Sequence, residues 1–176
     1  MAGAKHTTTM NVPLEALWEV ITNYEEYPEF VEGLQSLTVT KVDGKHTYAD
    51  YVVSMFGKKI KYSVKHTESP KKGLKWTMTE GEFFKSNDGS WELVADGDDA
   101  VEATYSVDVG FPLLVPKSVV NTLTGTQLPK MMKAFEDRAK AKAQKPAKAE
   151  KLAKAKKAPA KEAAAPAKKA AKGSKK

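Results

Sequence analysis

The chain has 176 residues, 29 Lys or Arg against 22 Asp or Glu, and no cysteine, which excludes disulfides and thiolate chemistry. No apolar run reaches the roughly 18 residues of a membrane-spanning helix, and the opening MAGAKHTTTMNV lacks the basic-then-apolar order of a secretory leader, so a cytoplasmic location is expected. The net charge of +7 sums two unlike parts: residues 143–176 hold twelve Lys and two Glu, a balance of +10, and residues 1–142 carry −3.

In chain order, the Thr-rich AKHTTTMNV suits a strand. Pro13 is a good first helical residue, and Leu14, Leu17, Trp18 and Ile21 fall at helical spacing, predicting a helix from about Pro13 to about Thr22. NYEEYPEFVEGL, residues 23–34, keeps Tyr24, Tyr27, Phe30, Val31 and Leu34 three or four apart with glutamates between them. That pattern predicts a second short amphipathic helix, with Gly33 as its exit and Pro28 in its first turn if it starts at Tyr27.

From Leu37 to Phe111 the period changes to two, which predicts six consecutive antiparallel strands separated by turns at DGK, Gly57, PKKG, SNDG and DGDD. Ile60, Tyr62, Val64 and His66 share one face of their strand, as do Leu74, Trp76 and Met78 of the next, and Val101, Ala103, Tyr105, Val107, Val109 and Phe111 of the last. Their opposite faces are polar, so one side of the sheet needs a cover. The cover is a long amphipathic helix from Ser118 to about Lys142, presenting Val119, Val120, Leu123, Leu128, Met131, Met132, Phe135 and Ala139, with a kink or break expected at Gly125 and Pro129. From Gln144 onward the chain is almost entirely Ala, Lys and Pro, with Leu152 as the one large apolar residue, too little apolar surface to fold, so residues 1–142 are expected to form the domain and residues 143–176 a disordered basic tail.

VPLEALWEVITNYEEYPEFVEGL, GSWEL followed by ATYSV, and VPKSVVNTLTGTQLPKMMKAFEDRA together resemble the polyketide cyclase/dehydrase and lipid-transport proteins of the START-like (SRPBCC, helix-grip) superfamily, which includes coenzyme Q-binding proteins. The resemblance implies an α+β helix-grip fold, in which a curved antiparallel sheet of about seven strands wraps a long C-terminal helix and leaves a cavity for a hydrophobic ligand. By matching position the cavity candidates are Tyr62, Val64 and His66, then Trp76 and Met78, Trp91 and Leu93, and Ala103, Tyr105 and Val107 on the strands. The long helix adds Leu123, Gln127, Met131 and Phe135, and Tyr27 and Phe30 face inward from a lid-like helix near the entrance. An apolar residue on the inner sheet face is more often plain core than ligand contact; flexible Met131 and Met132 suit varied apolar shapes, and Gln127 and Thr124 serve either a ligand or backbone groups freed near Pro129.

His6, His46 and His66 show no metal-ligand spacing, and no G-x-S-x-G, P-loop or dinucleotide fingerprint occurs, so no metal and no cofactor is expected. His66 with Tyr62 or Tyr105 would supply the acid or base if a polyketide cyclase or dehydrase reaction took place in the cavity. The tail resembles in composition those of linker histones and bacterial histone-like proteins. Its Lys145, Lys148, Lys151, Lys154, Lys156, Lys157, Lys161, Lys168, Lys169, Lys172, Lys175 and Lys176 are candidates for holding nucleic acid, a ribosome or an anionic membrane surface, or are simply solvated. The expected function is binding or carriage of a hydrophobic small molecule, a lipid or an isoprenoid quinone, with the tail anchored to a polyanion. The alternatives are a ribosome- or nucleic-acid-associated interaction module, resembling the ribosome-associating toxins of the family, and a cyclase or dehydrase.

Overall fold

Period-two sequence over the middle of the chain becomes one seven-stranded antiparallel sheet in the computed structural model, which describes residues 2–55, 57–111, 118 and 126–156. The strands are β1 (Ala2–Met10), β2 (Leu34–Asp43), β3 (His46–Met55), β4 (Lys58–Ser69), β5 (Gly73–Gly81), β6 (Ser86–Ala95) and β7 (Val101–Gly110), in the order β1-β7-β6-β5-β4-β3-β2. Consecutive strands are neighbours from β2 to β7, and β1 joins β7 with Ala2 opposite Val109 and Met10 opposite Val101. Register shifts interrupt the ladders between Leu34 and Ser36, between Val39 and Lys41, and between Ser63 and Val64; such bulges bend strands and help curve a sheet.

The chain crosses from the β1 edge to the β2 edge through helix α1 (Leu14–Thr22) and a 3-10 helix (Tyr24–Glu29). Pro13 sits one residue before α1, in extended conformation. Helix α2 (Leu128–Lys156) lies across the concave sheet face and packs on α1 and β1. Its Met132, Phe135 and Ala139 are buried together with Leu17 and Ile21 of α1 and Val101 and Ala103 of β7.

Three expectations need correction. The stretch expected to form a second amphipathic helix is a 3-10 helix that starts at Tyr24, so Pro28 lies inside it and not in the first turn. Three residues per turn stack positions i and i+3, and this brings Tyr24, Tyr27 and Phe30 onto one face. The Tyr27 carbonyl accepts from Phe30 N–H (3.2 Å) and Val31 N–H (2.8 Å), and Gly33 leaves the element with φ +83°. Its Glu25 and Glu29 are exposed and Glu26 is half-buried. Arg138 of α2 donates to Glu26 (2.8 Å) and Glu29 (2.5 Å) and lies over the Phe30 ring, and Lys130 pairs with Glu32.

The second correction concerns α2. Pro129 falls in the first turn of its α-helical part, directly after a π turn at Thr126 and Gln127, so the helix is irregular where a kink or break is expected. The helix also passes the expected end near Lys142 and reaches Lys156, as the high helix propensity of Ala and Lys allows. Gly125 and Leu123 lie outside the described residues.

The third is SNDG, expected as a turn and found as the first half of β6. Its glycine serves packing. A Cβ on Gly89 would lie 2.2 Å from Trp76 Cζ2 and 2.4 Å from the Ser106 carbonyl oxygen, so only glycine leaves room for the indole. Gly89→Ala is expected to destabilise the fold by about 1–3 kcal/mol through overpacking, read as a lower urea midpoint with altered tryptophan emission; an unchanged midpoint would show the indole to be free to move. Arg138→Ala should cost about 1 kcal/mol, since the pairs are partly solvated, and should speed amide exchange over residues 24–33. Unchanged exchange there would mean that ring packing alone holds the segment.

Candidate functional site

The concave sheet face, the 3-10 helix and α2 do not meet completely and leave a cavity of about 240 Å³. Of the residues expected there, Tyr27, Tyr62, Val64, His66, Trp76, Trp91, Tyr105, Val107, Met131 and Phe135 line it. Five others lie elsewhere. Phe30 stands behind the wall, its ring edge-on to Phe135 at 5.0 Å. Leu93 and Ala103 oppose each other across β6 and β7 in the closed core. Met78 follows the β4–β5 register shift and packs over Gly81, while Gln127 is exposed. Leu123 lies outside the described residues.

The walls are rings. Phe135 meets Tyr27 at 5.0 Å and Trp91 at 5.1 Å, Tyr105 bridges Trp91 (5.0 Å) and Trp76 (5.1 Å), and Tyr51 stacks on Tyr62 at 5.1 Å with 13° between planes. Exposed Glu32, Gly33 and Ser54 form the rim, tied together where Ser54 N–H donates to the Gly33 carbonyl at 2.7 Å.

Sequence reasoning missed Tyr51, Val53, Met55 and Asn87, which also line the cavity. The β3 pattern is blurred by the Val52–Val53 doublet, so its inner face is not obvious. The hairpin through Gly57 carried the signal, because pairing Met55 with Lys58 places Tyr51 opposite Tyr62 and Thr47 opposite His66, and directly opposed residues share a face. Asn87 was hidden by the expected turn. Its Oδ1 accepts from Trp76 Nε1 at 3.2 Å, which orients both side chains.

Behind the apolar wall runs a polar chain. The Tyr51 hydroxyl and His66 Nε2 are 2.9 Å apart, and the Tyr24 ring stacks on the imidazole at 4.5 Å. Tyr24 donates its hydroxyl to Glu68 Oε1 (2.7 Å), which also accepts from Thr47 Oγ1 (3.1 Å). Burial pushes the His66 pKa down to about 4 and raises those of Tyr27, Tyr51, Tyr62 and Tyr105 above the ordinary phenol range. At neutral pH the cavity lining behind Glu32 is therefore uncharged and can receive an apolar body while offering hydroxyl, amide and imidazole groups to it. Among the described residues no group of three or more His, Cys, Asp or Glu is placed to hold a metal ion.

No curated protein matches the chain. Solved structures share its architecture. A protein of Thermus thermophilus superposes with TM-score 0.71 at 17% identity, over 79% of this chain and 97% of that one. A START superfamily protein from Mycobacterium smegmatis gives 0.70 at 17% identity over the same shares, 79% and 97%. An aromatase/cyclase from Streptomyces sp. R1128 gives 0.59 at 14% identity, over 79% of this chain and 86% of that one. These are likenesses of fold, and the α+β helix-grip, START-like architecture is the one they share with this chain. The model of the polyketide cyclase/dehydrase and lipid transport family matches residues 10–136, and the chain belongs to that family.

Proposed function

We propose that the protein binds and carries a hydrophobic small molecule, a lipid or an isoprenoid quinone in kind, in the cavity beneath α2. The observation that carries this reading is the cavity itself: about 240 Å³, walled by aromatic rings and containing only neutral polar groups behind a charged rim. The volume is below the usual range of about 300–1,000 Å³ for sites that enclose a drug-sized ligand, so the interior takes a ring system or a chain segment, and any longer remainder leaves past Glu32 and Ser54. The tail, with twelve lysines over residues 145–176, anchors the carrier to a polyanion by charge neutralisation.

Native mass spectrometry of the purified chain, with organic extraction of what it holds, tests the carrier reading. A recurrent apolar small molecule is expected, and a cavity that takes up no member of a lipid and quinone panel would overturn it. Replacing all twelve tail lysines by glutamine is expected to abolish salt-sensitive binding to duplex DNA, RNA and anionic vesicles alike where any of them binds. Unchanged binding to all would remove the tail from the account.

Because the folded-state pKa of His66 lies below its ordinary 6.5, the unfolded chain takes up the proton first as pH falls. The neutral imidazole therefore contributes fully above about pH 6.5, and that contribution is lost as pH drops toward 4, by about 3 kcal/mol in all. Urea unfolding from pH 7.5 to 4 should show this loss in the native chain and not in His66→Gln; parallel profiles for the two proteins would mean that the imidazole is protonated in place.

A further inference from the structure

Tyrosines around the cavity differ in where their hydroxyl protons go. Tyr24 donates to Glu68, and Tyr27 donates to the Ile21 carbonyl at 2.5 Å, so both are spent on the protein. Tyr51 and Tyr62 stand directly opposite each other on β3 and β4, and their rings stack nearly parallel, so the two hydroxyls project side by side from the sheet. No hydrogen bond joins them to each other among the described residues.

The tautomer of His66 decides the direction of its bond to Tyr51. His66 Nδ1 is buried without a partner, and a buried orphan N–H is rarer and costlier than a buried orphan acceptor. The ring proton therefore sits on Nε2 and is donated to the Tyr51 oxygen, leaving the Tyr51 O–H proton free. Trp76 supports the same arrangement on the other side. An indole only donates, so Asn87 must turn Oδ1 toward it, which leaves the Asn87 NH₂ group to act on the Tyr62 oxygen as a donor. Each tyrosine oxygen is thus approached by a donor, His66 for Tyr51 and Asn87 for Tyr62, and each keeps its own proton.

We propose that Tyr51 and Tyr62 form a paired hydrogen-bond donor that takes the carbonyl oxygen of a neutral, ring-bearing ketone or quinone held between the aromatic walls. This inference rests on the carrier reading and names the ligand class for that site. Neutrality follows from the lining. Among the described lining residues there is no Lys or Arg, and the one carboxylate, Glu32, guards the rim, so a buried carboxylate or phosphate would lack a counter-charge. Flat ligands suit the walls, since Trp76, Trp91, Tyr105 and Phe135 present ring faces and edges at fixed angles.

The full-length protein is titrated with 2-acetylnaphthalene, with 2-ethylnaphthalene, which keeps the shape and loses the acceptor, and with 2-naphthoate, which carries an anion. The ketone is expected to bind about tenfold or more tighter than the hydrocarbon and tighter than the acid, and its carbonyl stretch should move to lower wavenumber on binding. Tyr51→Phe and Tyr62→Phe should each weaken the ketone about fivefold while leaving the hydrocarbon unchanged, and the double variant should abolish the preference and the infrared shift. Equal affinity for ketone and hydrocarbon with an unshifted carbonyl would overturn the donor pair and leave the carrier reading standing. Preference for the naphthoate would overturn the claim of neutrality. Failure of all three probes, together with failure of the lipid and quinone panel, would overturn both readings.

Discussion

Phe135 is the contact on which the arrangement depends. An antiparallel sheet with one apolar face must be covered, and here a single helix supplies the cover through one almost completely buried ring, 2% exposed, set edge-on to Tyr27 and Phe30 and against Trp91. Three separate elements, α2, the 3-10 helix and β6, converge on that ring. Because one helix cannot fill the whole concavity of a curved seven-stranded sheet, the part of the inner face beyond Phe135 and Met131 remains lined but not packed, and this is the cavity.

The 3-10 segment shows how charge is kept outside while aromatics go in. Its three-residue turn sends Tyr24 and Tyr27 inward, and the intervening Glu26 and Glu29 reach back to Arg138 on α2, with Lys142 adding a bond to Glu26 at 3.2 Å. The Arg138 and Lys142 pairings hold the Glu26 carboxyl below the usual range. Each exposed pair contributes little alone, but the cluster fixes the element that sends Tyr27 into the cavity wall. A buried counterpart ties the far end: Glu136 of α2 accepts from the Asn11 N–H at 3.1 Å and pairs with Lys140, joining α2 to the exit of β1.

The order of elements was legible because hydrophobic period changes are a strong signal: three-and-four spacing at Leu14–Ile21, two from Ile60 to His66, and three-and-four again at Leu128–Ala139. Legibility failed where one residue type serves two purposes. Gly89 and Asn87 look like turn residues, yet one leaves room for an indole and the other bonds it, a tertiary use that local propensity does not reveal. Tyr51 was obscured by a doublet of valines, although hairpin register would have recovered it. Tyr24, Tyr27 and Phe30 announced a three-residue repeat, and the distinction between a 3-10 turn and an α-helix lay in taking that spacing literally.

A space of about 240 Å³ inside a small domain has a thermodynamic consequence. At roughly 24 cal/mol per Å³ the contacts forgone amount to something on the order of 6 kcal/mol if the space is dry, comparable to the net stability of many small domains. Any water held at the tyrosine hydroxyls and the Asn87 amide would lower that figure without removing it. The space persists because its deep walls cannot collapse. Trp76, Tyr105, Trp91 and Phe135 brace one another in sequence, and inward positions beside them are small: Gly89 under Trp76, and Ala49 opposite Val64. Met131 on α2 and Met55 beside the exposed Ser54 also line the space, and their unbranched thioethers can adjust to differing shapes. On the proposed carrier function, shape and hydrogen-bond direction would be discriminated by the braced rings and their hydroxyls, and tolerance for the rest of a ligand would belong to the methionines.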